Sequence, residues 1–306
     1  MAPHTLDPRL CGPAGSLTAG AVPRPPLKRI AASLLRLLPS ATQRELRRWR
    51  FRHSCPTPVT FREKLVWRAL HCDNPLLSLT ADKAEVRPYV AQRIGEKYLP
   101  RHFGVYTATD EIPFEDITVG YVVKATHGSG WNYFVRDPRT VDLKELRRET
   151  NRWLKSSYGT GSEWWYAQIQ PRLIVEELMV TKNGECPEDY KFFVFNGKVA
   201  LLQVDTGRFS DHRRTIYTPE WSRLDCELKY PGGPTTRPPD NLKEMVRLAS
   251  LLGSDFDFVR VDLYSYQGRI VFGELTHCPD GGSAPFSDPK IEEWLGNMFQ
   301  ISTPCR

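Results

Sequence analysis

Apolar residues in this chain follow two rhythms, and the switches between them mark out its elements. From Leu27 to Leu38 the positions Leu27, Ile30, Ala31, Leu34, Leu35 and Leu38 recur at helical spacing among Lys28, Arg29 and Arg36, which predicts a short basic amphipathic helix. Phe61 to Leu70, Ala81 to Ile94, Leu143 to Lys155 and Leu242 to Leu252 read as further helices, the first with Phe61, Leu65 and Leu70 on one face. Strands are predicted at Gly120 to Ala125, Trp131 to Val135, Arg172 to Met179, Tyr190 to Phe195, Lys198 to Val204, Phe256 to Tyr264 and Arg269 to Leu275. They arrive as hairpins between helices instead of alternating singly with them, so the expected fold class is α+β.

Composition narrows this picture. With 306 residues, 40% hydrophobic and 25% charged, fibrous and fully disordered readings are out. Residues 1–26 hold six prolines and no apolar period, which predicts a disordered leader. The apolar stretch from Ile30 to Leu38 is broken by Arg36 and falls far short of the roughly 20 residues of a membrane span. No secretory pattern precedes it, so cytoplasmic residence is expected. Seven scattered cysteines without a CxxC pair suggest reduced thiols instead of disulfides or structural zinc.

The formal net charge of +6 is concentrated in one place. Between Arg24 and His53 nine Lys or Arg face one acid, Glu45, while residues 54–306 carry a small net negative charge. A nucleic-acid footprint extending over the body of the protein is therefore not expected. The basic segment over residues 24–53 could meet an anionic membrane surface or a protein partner, or pack on its own domain.

The chemistry-bearing residues sit where charge interrupts apolar strands. Lys124 ends the run Tyr121-Val122-Val123 and is followed by His127-Gly128-Ser129-Gly130. An ammonium beside a glycine-rich turn suits a polyphosphate, and it also suits a plain hairpin with a solvated lysine. Lys83 stands at a helix start. Glu176-Glu177 lies inside the run Leu173 to Val180, as an edge strand or a binding hinge, and Asp189-Tyr190-Lys191 opens another apolar strand. Arg260 and Asp262 share one face of a strand, and Glu274 and Thr276 share a face of the next. Such a set makes either an oxygen-rich Mg2+ site or a cross-strand ladder of salt bridges. GxxxxGK[ST], GxGxxG after a strand, HExxH and GxSxG are all absent from the sequence.

In order along the chain, the segments FREKLVW, ADKAEVRPYV, GEKYLP, GVY, VVKATHGSGWNYFV, PRLIVEEL, DYKFFVFNGKV, FDFVRVDLY and FGELTHCPDGG resemble the teichuronopeptide-biosynthesis-type (TupA-like) ATP-grasp family over about residues 59–297. The resemblance implies an ATP-grasp fold with a nucleotide between two α+β lobes. The layout expected is a leader over 1–26, a basic amphipathic helical segment over 27–58, a part containing the first lobe over 59–175 and the C-terminal lobe over 176–306. It implies ATP and Mg2+ as cofactors. By motif, Lys83 and Lys124 would hold phosphates and the loop His127, Gly128, Ser129 and Gly130 would close over them. Glu176, Glu177 and Leu178 would form the adenine-side hinge, Asp189 would lie near the ribose and Lys191 near the terminal phosphate. Asp262 and Glu274 would bind Mg2+, and Arg260 would stabilise the transferred phosphoryl group. Thr276 stands where the wider superfamily commonly has Asn, and its hydroxyl is a weaker ligand than an amide carbonyl. His277 and Cys278 follow as turn residues or as groups facing the acceptor.

The activity implied is an ATP-dependent carboxylate–amine ligase acting on small-molecule carboxylate and amine substrates, with cell-envelope glycan or peptide-like products. Two rivals are a small-molecule or sugar kinase and a non-catalytic nucleotide-binding scaffold.

Overall fold

The computed structural model describes residues 40–158, 163–181, 184, 186–207 and 211–301. The predicted leader and the predicted helix over Leu27 to Leu38 lie outside these residues. Seven α-helices are described: α1 (Ser40–Ser54), α2 (Phe61–His71), α3 (Pro75–Ala81), α4 (Val86–Ile94), α5 (Leu143–Leu154), α6 (Leu242–Leu252) and α7 (Pro289–Met298). The strands are β1 (His102–Tyr106), β2 (Tyr121–Ala125), β3 (Asn132–Val135), β4 (Leu173–Glu177), β5 (Asp189–Phe195), β6 (Lys198–Thr206), β7 (Arg213–Tyr217), β8 (Arg223–Leu224), β9 (Val259–Tyr266) and β10 (Arg269–Thr276). Both sheets are antiparallel in every pairing, with orders β1-β4-β2-β3 and β10-β9-β5-β6-β7-β8.

The chain packs as two compact units. Of the described residues, 40–47 and 102–178 form the first, and 48–101 and 179–301 the second. Residues 59–101 thus belong to the second unit. The reason is α2. Thr60 and Glu63 form a capping box that starts this helix, and its Phe61 packs at 4.9 Å between ring centroids on Phe258 and at 6.0 Å on Phe193. Arg68, 2% exposed, donates to Asp257 and to the Phe258 and His277 carbonyls. The helix predicted over Ala81 to Ile94 starts later: α3 ends at Ala81, and α4 runs from Val86 to Ile94. Asp82 ends α3, and its carboxylate accepts from the N–H groups of Ala84 and Glu85, which turns the chain into α4.

In the first unit Tyr121, Val123, Ala125, Leu173 and Val175 present one apolar sheet face to Leu146 and Trp153 of α5 and to Ile112, Phe114 and Ile117. Burying each large apolar side chain stabilises by about 1.5–3 kcal/mol. The alternating positions Val122, Lys124, Ile174 and Glu176 occupy the other face.

In the second unit, Asn196-Gly197 and Gln267-Gly268 join β5 to β6 and β9 to β10. All four residues have positive φ, the requirement of a type I′ turn, and these two turns set the register of the six-stranded sheet. One face carries Phe192, Val194, Val204, Val261 and Leu263, with Val194 meeting α6 at Gly253. The opposite face is aromatic at one end, where Phe61, Phe193, Phe258, Phe286 and Phe299 cluster, and charged at the other.

Candidate active site

Register places the charged end of the second unit. Glu274 on β10 stands opposite Asp262 on β9, which stands opposite Lys191 on β5, which stands opposite Gln203 on β6. Opposed residues of antiparallel strands share a face, so a polar row crosses four strands. Lys191, 5% exposed, donates to Asp189 and, at 2.6 Å, to Asp262 Oδ2. Arg260 forks Asp262 through Nε and Nη2, both at 2.7 Å. The same Nη2 lies 3.1 Å from Glu274 Oε1 and 2.9 Å from Thr276 Oγ1. Three oxygens from three side chains on two strands therefore converge on one nitrogen. The ladder of salt bridges anticipated as an alternative to an oxygen-rich site is built from the same atoms as that site.

The electrostatics follow from this crowding. Burial pushes the Asp262 carboxyl up to about 6, with Asp189 and Glu274 adding to the rise against Arg260 and Lys191. For Glu274, desolvation also raises the pKa, but Arg260, Lys191 and Lys83 outweigh it and hold the group down to about 2. Lys83, on the turn between α3 and α4, thus reaches the row through its field. That turn is fixed to the end of β10, because Thr80 of α3 and the His277 Nε2 are 2.9 Å apart. Burial, reinforced by Arg68, holds the His277 pKa well below 6.5. His277 is a packed anchor, and Cys278 beside it is 2% exposed.

The first unit carries the remaining predicted residues. Lys124 Nζ is 2.6 Å from Glu176 Oε2, with side chains 27% and 8% exposed. The His127 ring is turned inward, its Nε2 3.0 Å from the Trp153 carbonyl oxygen and its edge toward Trp131. It anchors the loop instead of lining its mouth. A Cβ on Gly128 would lie 2.7 Å from the Trp131 ring, so only glycine fits there, while Ser129 and Gly130 are exposed. Glu177 stands opposite Tyr121, and the Leu178 N–H donates to the Gly120 carbonyl at 2.9 Å, which continues the β4 strand toward its predicted hinge.

Among the described residues no three His, Cys, Asp or Glu side chains are already arranged as a metal shell. The oxygens of Asp262, Glu274 and Thr276 nonetheless converge on a positive group, and an all-oxygen donor set suits Mg2+.

Sequence reasoning did not single out Asp205, Arg214 or Arg68. Asp205 on β6 and Arg214 on β7 stand opposite one another, and Arg214 Nε and Nη2 donate to the two Asp205 oxygens at 2.7 and 3.1 Å. Asp205 carries the same signal that exposes Lys191, a charge at an inward position of an apolar strand.

No curated protein matches the chain. Among solved structures, the D-alanine–D-alanine ligase of Bacillus anthracis complexed with ATP is 17% identical, with 66% of this chain and 57% of that one covered and a TM-score of 0.42. Another structure of that ligase is 17% identical over 73% and 67%, with a TM-score of 0.45. The ATP-grasp ligase PsnB, complexed with a phosphomimetic variant of its minimal precursor, Mg and ADP, is 14% identical over 66% and 52%, with a TM-score of 0.38. The chain thus spans 57% of the first of these proteins. The family description TupA-like ATPgrasp matches residues 63–300, most of the chain and all of both sheets. The chain belongs to the TupA-like ATP-grasp family.

Proposed function

We propose that the protein is an ATP-dependent, ADP-forming carboxylate–amine ligase. The observation that supports this most is the row of Glu274, Asp262 and Lys191, crossed by Arg260, in which all but Glu274 are buried on one face of the six-stranded sheet. Burying so many charges costs stability unless they are paired and used, and phosphoryl transfer uses fixed charge more than covalent help.

In this reading Asp262 and Glu274 would hold Mg2+, with Thr276 as a weaker third oxygen donor. The ion, when bound, supplies positive charge beside the phosphates. Lys83 and Lys124 are each assigned to phosphate oxygens, and the backbone N–H groups of Gly128, Ser129 and Gly130 are further donors for phosphate. Glu176, Glu177 and Leu178 serve the base, and Asp189 serves the ribose while bracing Lys191. Lys191 and Arg260 neutralise the phosphoryl group as the substrate carboxylate oxygen attacks it and ADP departs. The acyl phosphate is then attacked by an amine nitrogen: the C–N bond forms, the C–O bond to phosphate breaks, and the amine gives up a proton. The family resemblance suggests cell-envelope glycan or peptide-like products.

The test uses hydroxylamine as a surrogate amine. With ATP, Mg2+ and candidate acids the enzyme is expected to release ADP and form a hydroxamate that mass spectrometry detects. A stable phosphate ester with no hydroxamate would identify a kinase, and no magnesium-dependent turnover of ATP with any acceptor would identify a scaffold.

A further inference from the structure

Beyond the Lys191 row, two backbone outliers meet in one ion pair. Lys229 has φ 67° and Asp280 φ 50°, a region that few residues other than glycine, asparagine and aspartate enter. The Tyr230 N–H donates to the Leu228 carbonyl at 2.7 Å, so Lys229 is the centre of a γ-turn, and with positive φ this is the rare, strained form. Asp280 lies in the turn that follows β10. Lys229 Nζ is 2.5 Å from Asp280 Oδ1, with side chains 44% and 22% exposed. An ion pair this exposed contributes little to stability, whereas two strained residues detract from it.

The surroundings hold both residues in place. Arg214 grips the γ-turn from two sides, its own N–H donating to the Pro231 carbonyl at 3.0 Å and its Nη1 to the Leu228 carbonyl at 3.2 Å. Its guanidinium lies 4.9 Å from the centre of the Tyr230 ring, against which His212 stacks at 3.8 Å, and its Nη1 is 3.9 Å from Asp280 Oδ2. The Asp280 carbonyl accepts from Ser283 Oγ at 2.7 Å and from the Ser283 N–H at 3.1 Å. Arg214 stands opposite Asp205, and Asp205 opposite Asp189, so the cluster continues the charged face of the sheet; β7 lies two strands, about 10 Å, from β5.

We propose that the Lys229–Asp280 pair recognises the ammonium and carboxylate of a free amino-acid substrate. The substrate carboxylate takes Lys229 and its ammonium takes Asp280, so two bonds replace one internal bond and no charge is left alone. A ligand with one of these charges makes one bond for the one it breaks and gains nothing over the internal pair. This inference rests on the ligase reading, which requires a substrate site continuous with the Lys191 row.

Calorimetric titration of the full chain with each of the twenty L-amino acids, with and without a non-hydrolysable ATP analogue and Mg2+, tests it. At least one amino acid is expected to bind saturably, with its decarboxylated amine and its N-acetyl derivative at least tenfold weaker. Asp280→Asn and Lys229→Asn, which keep a side chain tolerant of positive φ, are each expected to lose at least tenfold in affinity. Lys229→Gly is expected to lose affinity while melting at or above the wild-type temperature. Absence of any binder, equal binding of the decarboxylated amine, unchanged affinity in both Asn variants, or a lower melting temperature for Lys229→Gly would each overturn the proposal. Nucleotide binding in the same samples separates the two levels. Binding of the ATP analogue without an amino acid rejects this inference alone, and failure to bind the nucleotide rejects the ligase reading beneath it.

Discussion

The four-stranded and six-stranded sheets manage polar groups on their charged faces in opposite ways. On β2 and β4 a single pair, Lys124 and Glu176, sits on one face with the lysine 27% exposed. On β10, β9 and β5 a connected set of Asp189, Lys191, Arg260, Asp262 and Glu274 shares partners, and all but Glu274 are buried. In the first arrangement a partly exposed lysine has one carboxylate partner, so its loss strands a single group. In the second, removing one member leaves others charged and unpaired in a dry place. Function and stability should therefore separate cleanly in the first unit and be entangled in the second.

The sharpest break of that contrast is Lys191→Met. It is expected to lower turnover on the order of 10²–10³-fold and stability by about 3–5 kcal/mol, because Asp189 and Asp262 both lose a buried cation. Steady-state ADP release and urea unfolding of the same preparation check both halves. Glu274→Gln comes next, with a loss of about 10²-fold in magnesium-dependent rate, whereas Thr276→Ala is expected to lose less than about tenfold. Equal losses in the two would show that the hydroxyl is as strong a ligand as the carboxylate.

Lys124→Ala probes the other sheet. One charged hydrogen bond to a phosphate contributes about 1.5–3 kcal/mol, so nucleotide affinity should weaken roughly 10–100-fold, with stability lowered less than in Lys191→Met because only one carboxylate, Glu176, loses a cation. Equilibrium binding of a fluorescent ATP analogue and thermal melting measure the two. A melting shift as large as that of Lys191→Met would erase the contrast between the sheets.

The smallest expected effect is a pH dependence at Asp205. Burial raises its carboxyl pKa, but His212 and Arg214 outweigh that and hold it well below the usual 3.8. The folded protein therefore binds this proton less readily than the unfolded chain does. The stability that Asp205 contributes is complete above pH about 4 and is lost as pH falls below it. The gap in unfolding free energy between wild type and Asp205→Asn should narrow from pH 5 to pH 2, and a gap that stays constant would place the effect elsewhere.

Strong periodicity made much of the fold legible. The helix expected over Leu242 to Leu252 has those ends in the structure, and the apolar runs of β2, β5, β6, β9 and β10 appear where β-branched and aromatic residues cluster. Shorter or mixed signals hid the rest. β1 has five residues with Gly104 at its middle, β7 begins with two arginines, and α7 is announced only by the Asp288 cap and Pro289. The row of Lys191, Asp262 and Glu274 could be read because each interrupts an apolar strand. The inward turn of His127 and the strain at Lys229 could not, since both depend on partners distant in sequence, Trp153 for one and Arg214 for the other. Arg68 reads as one more helix arginine until Asp257 is brought beside it.

That last contact bears on how the protein comes off the ribosome. Arg68 and Asp257 are 189 residues apart, and all of residues 102–178 is synthesised between them. At about 5–20 residues per second, the nascent chain presents Phe61 and Arg68 for roughly 10–40 seconds before Asp257 and Phe258, just ahead of β9, exist. Residues 102–178 can close on their own core in that interval, while the helix upstream waits with its apolar face in water. The α2 face is therefore made long before the residues that cover it.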